Sequence, residues 1–378
     1  MSGTGRWGQR IRDRVAEGNM GELATELLKI AVANRNHWGG GWDEVLDALG
    51  ALPAEQRSRL AGALVERYHS VGSASAARLN VLTLLGVVSR GLPADPLAAE
   101  RRQHLDGLGR QYAYGYGARM DVLAEAELAA GRPLAPAVVA AFRRAGVDAY
   151  HPEYVVELMK KVTEPVLNVG EEWAEQAMRD GSAPDWQSLL SHLTAATASK
   201  PSARWDKRAR ALVEPLGDDS VRAAAVSWLA LVGHPRTLPL EGPGYGADVN
   251  AVYDPYNANA LRGLAWLVSL LPPHPATARA LGALVETSLR KVAGLGPRNP
   301  KVANAAVFAL SRLGGESALA ELARLATRVT YKNTAKLLDG ALQARATALG
   351  LSREEIENWP SRRTDSARWG EPVTTSER

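Results

Sequence analysis

The sequence predicts an all-α fold, a HEAT-like α-solenoid of stacked antiparallel helix pairs, and three observations carry that expectation. Alanine and leucine dominate and β-branched runs are few, a balance that favours helix over sheet. Apolar residues recur at helical spacing along much of the chain, most regularly after residue 200. Glycine and proline interrupt those stripes at intervals that suit helix ends. The length of 378 residues exceeds what one core usually serves. A division follows: irregular N-terminal helical repeats over 1–160, a regular solenoid over 161–358 and a disordered tail over 359–378, where no periodic stripe continues.

In the first segment, Gly21–Val32, Glu55–Tyr68 and Ser75–Val88 read as amphipathic helices, broken at Gly39–Gly41 and Leu92–Pro96. GRQYAYGYGARMD (Gly109–Asp121) reads as an aromatic and glycine-rich interruption. In the second segment, Asp218 is placed to cap a helix with the stripe Val221, Ala224, Ala225, Trp228, Leu229 and Val232. LEGPGYGADVNAVYDPYNAN (Leu240–Asn259) is a long loop, of a length that is usually functional or disordered. Asn257–Lys291 reads as two helices joined at Pro272–Pro273.

The most informative stretch is GLGPRNPKVANAAVFALSRLGG, Gly294–Gly315. Asn299 suits an N-cap and Pro300 the first helical position. The stripe Val302, Ala305, Ala306, Ala309, Leu310 and Leu313 repeats the spacing seen from Val221. The two stripes are separated by twice the ~40–47-residue period of HEAT-type repeats. Gly314–Gly315 ends the helix, and a second one then turns Leu319, Leu322, Ala323 and Ala326 inward, with Glu321, Arg324 and Arg328 opposite. Helix, Gly-rich turn, antiparallel helix is the unit of a solenoid. A closing helix is expected after Tyr331, then a short one from Ser352, which with Glu355 has capping-box spacing.

Composition excludes several functional classes. With no cysteine, disulfides, thiolate metal sites and cysteine nucleophiles are ruled out. The N-terminal residues lack the apolar core of a signal peptide. The most apolar helix, Leu261–Leu271, contains Arg262 and is too short to span a bilayer, so no membrane partner and a cytoplasmic location are expected. A net charge of +4 is only mildly basic. The seven histidines are scattered and none forms an H-E-x-x-H pair; no G-x-S-x-G elbow is present. The acid pairs Glu171–Glu172 and Asp218–Asp219 fall in first turns, where the helix dipole favours them. No catalytic residue, metal site or cofactor is expected.

Several stretches resemble one known family. GEEWAEQAM (Gly170–Met178), SKPSARWDKRARALVEPLG (Ser199–Gly217), WLALVGHPRTLPL (Trp228–Leu240), LRGLAWLVSLLP (Leu261–Pro272), RKVAGLGPRNPKVANAAVFALSRLGG (Arg290–Gly315) and LDGALQARATALGLSREEIE (Leu338–Glu357) occur in that order. From about Pro165 to Glu355 the chain is similar to the helical-repeat region of the bacterial domain-of-unknown-function family 4132, some members of which are called molybdate metabolism regulator-like. The resemblance implies a helical-repeat fold followed, in the family, by a further large domain. It thereby implies a separately encoded effector domain as a partner here.

Three sets of residues are candidates for binding. Gly294, Gly296, Arg298 and Lys301 precede a helix N-terminus, a setting that attracts anions. The spacing is neither a Walker loop nor a dinucleotide fingerprint, and an inter-repeat turn stiffened by Pro297 and Pro300 is the favoured reading. In KPSARWDKRAR (Lys200–Arg210), Arg204, Lys207 and Arg208 share a helix face beside Trp205. Such a face suits phosphate contacts with stacking, although a solvated face with Trp205 turned into the core is favoured. Finally Arg290, Lys291, Arg298, Lys301, Arg328, Lys332 and Lys336 recur on successive repeats and would line one basic groove if they shared the concave side. The expected function is therefore a non-enzymatic scaffold that binds another protein. The alternative is a nucleic-acid-binding solenoid, of the DNA glycosylase-like or another type, using that groove.

Overall fold

The chain divides into two units, Met1–Thr163 and Glu164–Arg378. The computed structural model describes residues 4–33, 42–72, 77–112, 119–147, 153–242 and 248–349. The architecture is all-α: the described residues form eighteen α-helices, one 3-10 turn and a single hairpin of two-residue strands. Among them no helix is long and apolar enough to cross a membrane. The expected break at Gly39–Gly41, the Ser352 helix and the tail from 359 lie outside the described residues, as do 113–118 and 243–247 within the two expected interruptions.

The first unit contains α1 (Thr4–Ala16), α2 (Met20–Ala33), α3 (Trp42–Gly50), α4 (Ala54–Ser70), α5 (Ala77–Val88), α6 (Ala98–Gly109), α7 (Met120–Ala129), α8 (Pro136–Val147) and α9 (Glu153–Lys160). Helix α5 touches α2, α3, α4, α6 and α7. That position explains ARLNVLTLLGVV: a helix enclosed by neighbours must be apolar on nearly every face. Ala77 and every residue from Asn80 to Val88 are buried. The break at Leu92–Pro96 carries Asp95, which accepts hydrogen bonds from the buried Arg101 and from Arg132, while Arg132 also donates to Glu127 at 2.9 Å. Burial opposes the charge on Asp95, but bonds from Arg132 and Arg101 outweigh it and hold the carboxyl below its ordinary range.

The second unit contains α10 (Glu172–Asp180), α11 (Pro184–Thr194), α12 (Ala203–Val213), α13 (Asp218–Ala230), the 3-10 turn Val249–Ala251, α14 (Asn257–Val268), α15 (Pro275–Leu289), α16 (Pro300–Leu313), α17 (Gly315–Arg328) and α18 (Lys332–Leu349). Alternate helices are neighbours. One row runs α10, α13, α15, α17 and the other α11, α14, α16, α18, with α12 set against α11. The core between the rows is built on Trp173, Trp228, Trp266, Leu264, Leu310 and Leu322.

This arrangement corrects the expected phase. The matching stripes from Val221 and Val302 suggest equivalent positions, yet α13 lies in the first row and α16 in the second. The stripes match because each helix buries one face, a requirement common to both rows. A second correction concerns Asp218. It is the first residue of α13, and the cap is Gly217 at φ 80°, with no side-chain cap bond.

Asn299 behaves as expected, its side chain accepting from the Val302 amide at 3.1 Å ahead of Pro300. Asn299→Ala should lower stability by about 1 kcal/mol and Asn299→Gly by only a few tenths, as read from the urea midpoint. At the other end of α16, Gly314 and Gly315 both have positive φ, 71° and 75°, a backbone that only glycine adopts freely.

Candidate recognition sites

The stretch between α15 and α16 is a small hairpin, β1 (Lys291–Val292) antiparallel to β2 (Gly296–Pro297). Gly294 and Gly296 supply its positive φ values of 75° and 89°. The Arg298 amide donates to the Arg290 carbonyl at 3.0 Å and the Asn299 amide to the Ser288 carbonyl at 2.9 Å, which extends the pairing to the α16 cap. Glycine therefore makes the turn, in line with the favoured reading of the sequence. The hairpin itself is not legible there, because two-residue strands carry no periodicity.

Arg298 leaves this hairpin to reach the turn after α13, where Nη1 donates to the Gly233 carbonyl at 3.1 Å. Gly233 has φ 87°, a backbone that favours glycine, and a Cβ there would stand 2.4 Å from Arg298 Nη1 and displace the guanidinium. Arg298 and Arg290 line a cleft of about 610 Å³ together with Glu171, His234, Arg236 and Tyr253. On its rim His234 Nδ1 lies 2.8 Å from Glu172 Oε2.

Beneath the cleft sits a buried polar network that connects two loops. Glu171 accepts from the Asp254 amide at 2.9 Å, from Asn257 Nδ2 at 2.8 Å and from Trp173 Nε1 at 3.2 Å. Asn257 Oδ1 accepts from the Asn168 amide at 2.8 Å while its Nδ2 donates to the Asn168 carbonyl at 2.9 Å. Asp254 Oδ1 accepts from Asn168 Nδ2 at 3.0 Å and from the Tyr256 amide at 3.0 Å. Burial and the Asp254 carboxylate raise the Glu171 carboxyl above its ordinary range, against the pull of Arg236. Burial likewise pushes the Tyr253 phenol up to about 12. With both Glu171 oxygens already accepting N–H donors, this carboxylate fastens loops together. Among the described residues no group of three or more His, Asp or Glu could hold a metal ion.

From sequence, Glu171 falls in a first turn for the sake of the dipole; the structure makes it the buried N-cap residue of α10 and the centre of the network. One signal was available. Asp-Pro-Tyr-Asn at 254–257 places an acid just ahead of the helix, and Asp254 does accept from the Tyr256 and Asn257 amides. The partners across the network, 86 and 89 residues away for Asn257, have no local signature.

A second concavity, about 580 Å³, is an apolar groove between α16 and α18. Helix α16 contributes Asn304, Val307, Phe308 and Ser311, and α18 contributes Leu337, Gly340, Ala341 and Ala344. Lys200, from the segment before α12, and Lys336 stand on its edges. The Lys200 ammonium lies 5.8 Å from the Phe308 ring centroid, near enough for a weak cation–π attraction. Leu337 keeps 44% of its surface exposed in this groove.

The ten residues expected to bind are thus dispersed over the second unit. Arg204, Lys207 and Arg208 are exposed on α12. Trp205 is buried, stacked on His192 with centroids 4.6 Å apart and edge-on to Trp266 at 5.3 Å. It cannot stack a nucleobase: the favoured reading, with Trp205 turned into the core, is the one the structure has, and Trp205 leaves the set of binding candidates. The single acid of the motif, Asp206, takes a two-pronged hydrogen bond from Arg312 at 2.7 and 3.0 Å. Arg290 and Arg298 belong to the cleft, whereas Lys291, Lys301 and Lys332 are exposed outside both concavities. Arg328 pairs with Glu286 at 3.5 Å, and Arg324 bonds the same carboxylate at 2.7 Å. Acids therefore interrupt the basic series, and neither concavity collects it. The chain matches no protein-family model, no curated protein and no solved structure.

Proposed function

We propose that this chain is an interaction scaffold whose second unit is a HEAT-like stack of antiparallel helix pairs that receives a protein partner in the α16–α18 groove. The observation that carries the reading is the groove itself. Both helices bury one face in the core and yet present a second, largely apolar face to a cavity that nothing else in the described chain fills. Alternate-helix packing in two rows supports the stacked-repeat reading. The resemblance of residues 165–355 to the helical-repeat region of family 4132 points the same way, with an effector domain of that family as the partner to look for.

The nucleic-acid reading draws less support, since Trp205 is in the core and Glu286 and Asp206 neutralise neighbouring arginines. Capture of the full chain from its native cells separates the two. A protein partner should survive nuclease treatment and disappear when Gly340→Trp fills the groove. Capture that is lost with nuclease and indifferent to Gly340→Trp would reverse the order of the two readings.

A further inference from the structure

We infer that the α16–α18 groove takes an amphipathic helix whose apolar ridge is flanked by acidic residues. This inference rests on the scaffold reading and specifies the chemistry of its partner.

Shape comes first. The α18 residues of the groove, Asn333, Lys336, Leu337, Gly340, Ala341 and Ala344, have offsets 0, 3, 4, 7, 8 and 11, one continuous helical face. From α16, Asn304, Val307, Phe308 and Ser311 have offsets 0, 3, 4 and 7. Two side-by-side helices of this kind form a trough of parallel ridges, and the complementary object is a third helix whose own i, i+3, i+4 ridge enters it. Eleven steps along α18 at 1.5 Å make the trough about 16 Å long, enough for about three helical turns. A strand added by backbone pairing would need an exposed sheet edge, and neither wall offers one. Gly340 has open space where a Cβ would project, so a partner backbone can approach closely there.

Charge settles the flanks. The polar groups on the groove are two lysines, two asparagines and two serines, and among the described residues no carboxylate lines it. Neither Lys200 nor Lys336 forms an ion pair among the described residues, although Arg312 of α16 and Arg324 and Arg328 of the neighbouring α17 are all paired with acids. Two unpaired ammonium groups on the edges of an apolar floor select for acids beside the ridge and against bases. The floor is provided by Val307, Phe308, Leu337 and Ala341, and it rewards aliphatic or aromatic ridge residues.

The test is a displayed library of helical peptides, with a randomised ridge at i, i+3, i+4 and i+7 and randomised flanks, selected against the full-length protein. Wild-type protein should enrich Asp and Glu at the flanks and large apolar residues on the ridge. The double variant Lys200→Glu, Lys336→Glu should bind those peptides at least about tenfold more weakly at low salt and, in a fresh selection, enrich Lys and Arg instead. Gly340→Trp should abolish binding in both selections; its site is open and helical, so circular dichroism should show an unchanged fold. Flanks that come out neutral or basic with wild-type protein would overturn the acidic chemistry while leaving the scaffold reading intact. Selected peptides that ignore Gly340→Trp would overturn the groove as their site. The scaffold reading itself fails only if native capture also ignores Gly340→Trp.

Discussion

Asn257→Ala is expected to destabilise the second unit by about 3–5 kcal/mol. Its amide makes three bonds inside a fully buried network, to the Asn168 amide, the Asn168 carbonyl and the Glu171 carboxylate. Truncation leaves each of those groups short of a partner, the two on the fully buried Asn168 closed off from water as well, at about 1–3 kcal/mol apiece with incomplete additivity. It also loosens the tie between the loop before α10 and the one before α14. Urea unfolding followed by tryptophan fluorescence reads this directly, because Trp173, Trp228 and Trp266 are buried in the same unit. A loss under about 1 kcal/mol, the worth of one ordinary hydrogen bond, would show that the network fastens nothing. Asn259→Ala is the comparison: Asn259 Oδ1 accepts a single partly buried bond from Arg262 at 3.2 Å, and its removal should cost about 1 kcal/mol.

Gly263→Ala should cost about 3 kcal/mol or more through overpacking, although alanine is the better helix former by about 1 kcal/mol. A Cβ on Gly263 would stand 2.4 Å from the Leu193 carbonyl oxygen and 2.8 Å from the Leu193 Cα. Those are backbone atoms at the end of α11, so relief requires moving one helix away from the other and opening the core around Trp266 and Leu193. Gly340→Ala provides the opposite sign in the same unit. Nothing lies within 4 Å of its added Cβ, so the gain in helix propensity should stand alone and raise stability by about 0.5–1 kcal/mol. If both substitutions shifted the urea midpoint the same way, the close approach of α11 and α14 would not be what glycine serves at 263.

These two glycines also mark where local reading stops. Helix α16 is legible almost completely, from the Asn299 cap through the stripe to Gly314–Gly315, because caps, periodicity and glycine stops act within a few residues. Nothing local marks Gly263, since the carbonyl it approaches belongs to residue 193. Glu171 reads as an ordinary first-turn acid for the same reason, its partners coming from the 254–257 segment. Lys200 and Lys336 stand out in sequence as basic residues, but α16 and α18 had to pack before the two could stand on one groove.

What the amino-acid order determined alone is the inventory: an all-α chain, the position of most helices and which face of each is apolar. Those properties depend on interactions over one to three helical turns, which the chain carries in its local spacing. Tertiary structure decided the rest: the two rows in which α13 and α16 fall apart, the network around Glu171 and Asn257, the core position of Trp205 and the groove. Each of these depends on contacts between residues tens of positions apart, and their energies exist only once the helices have been brought together.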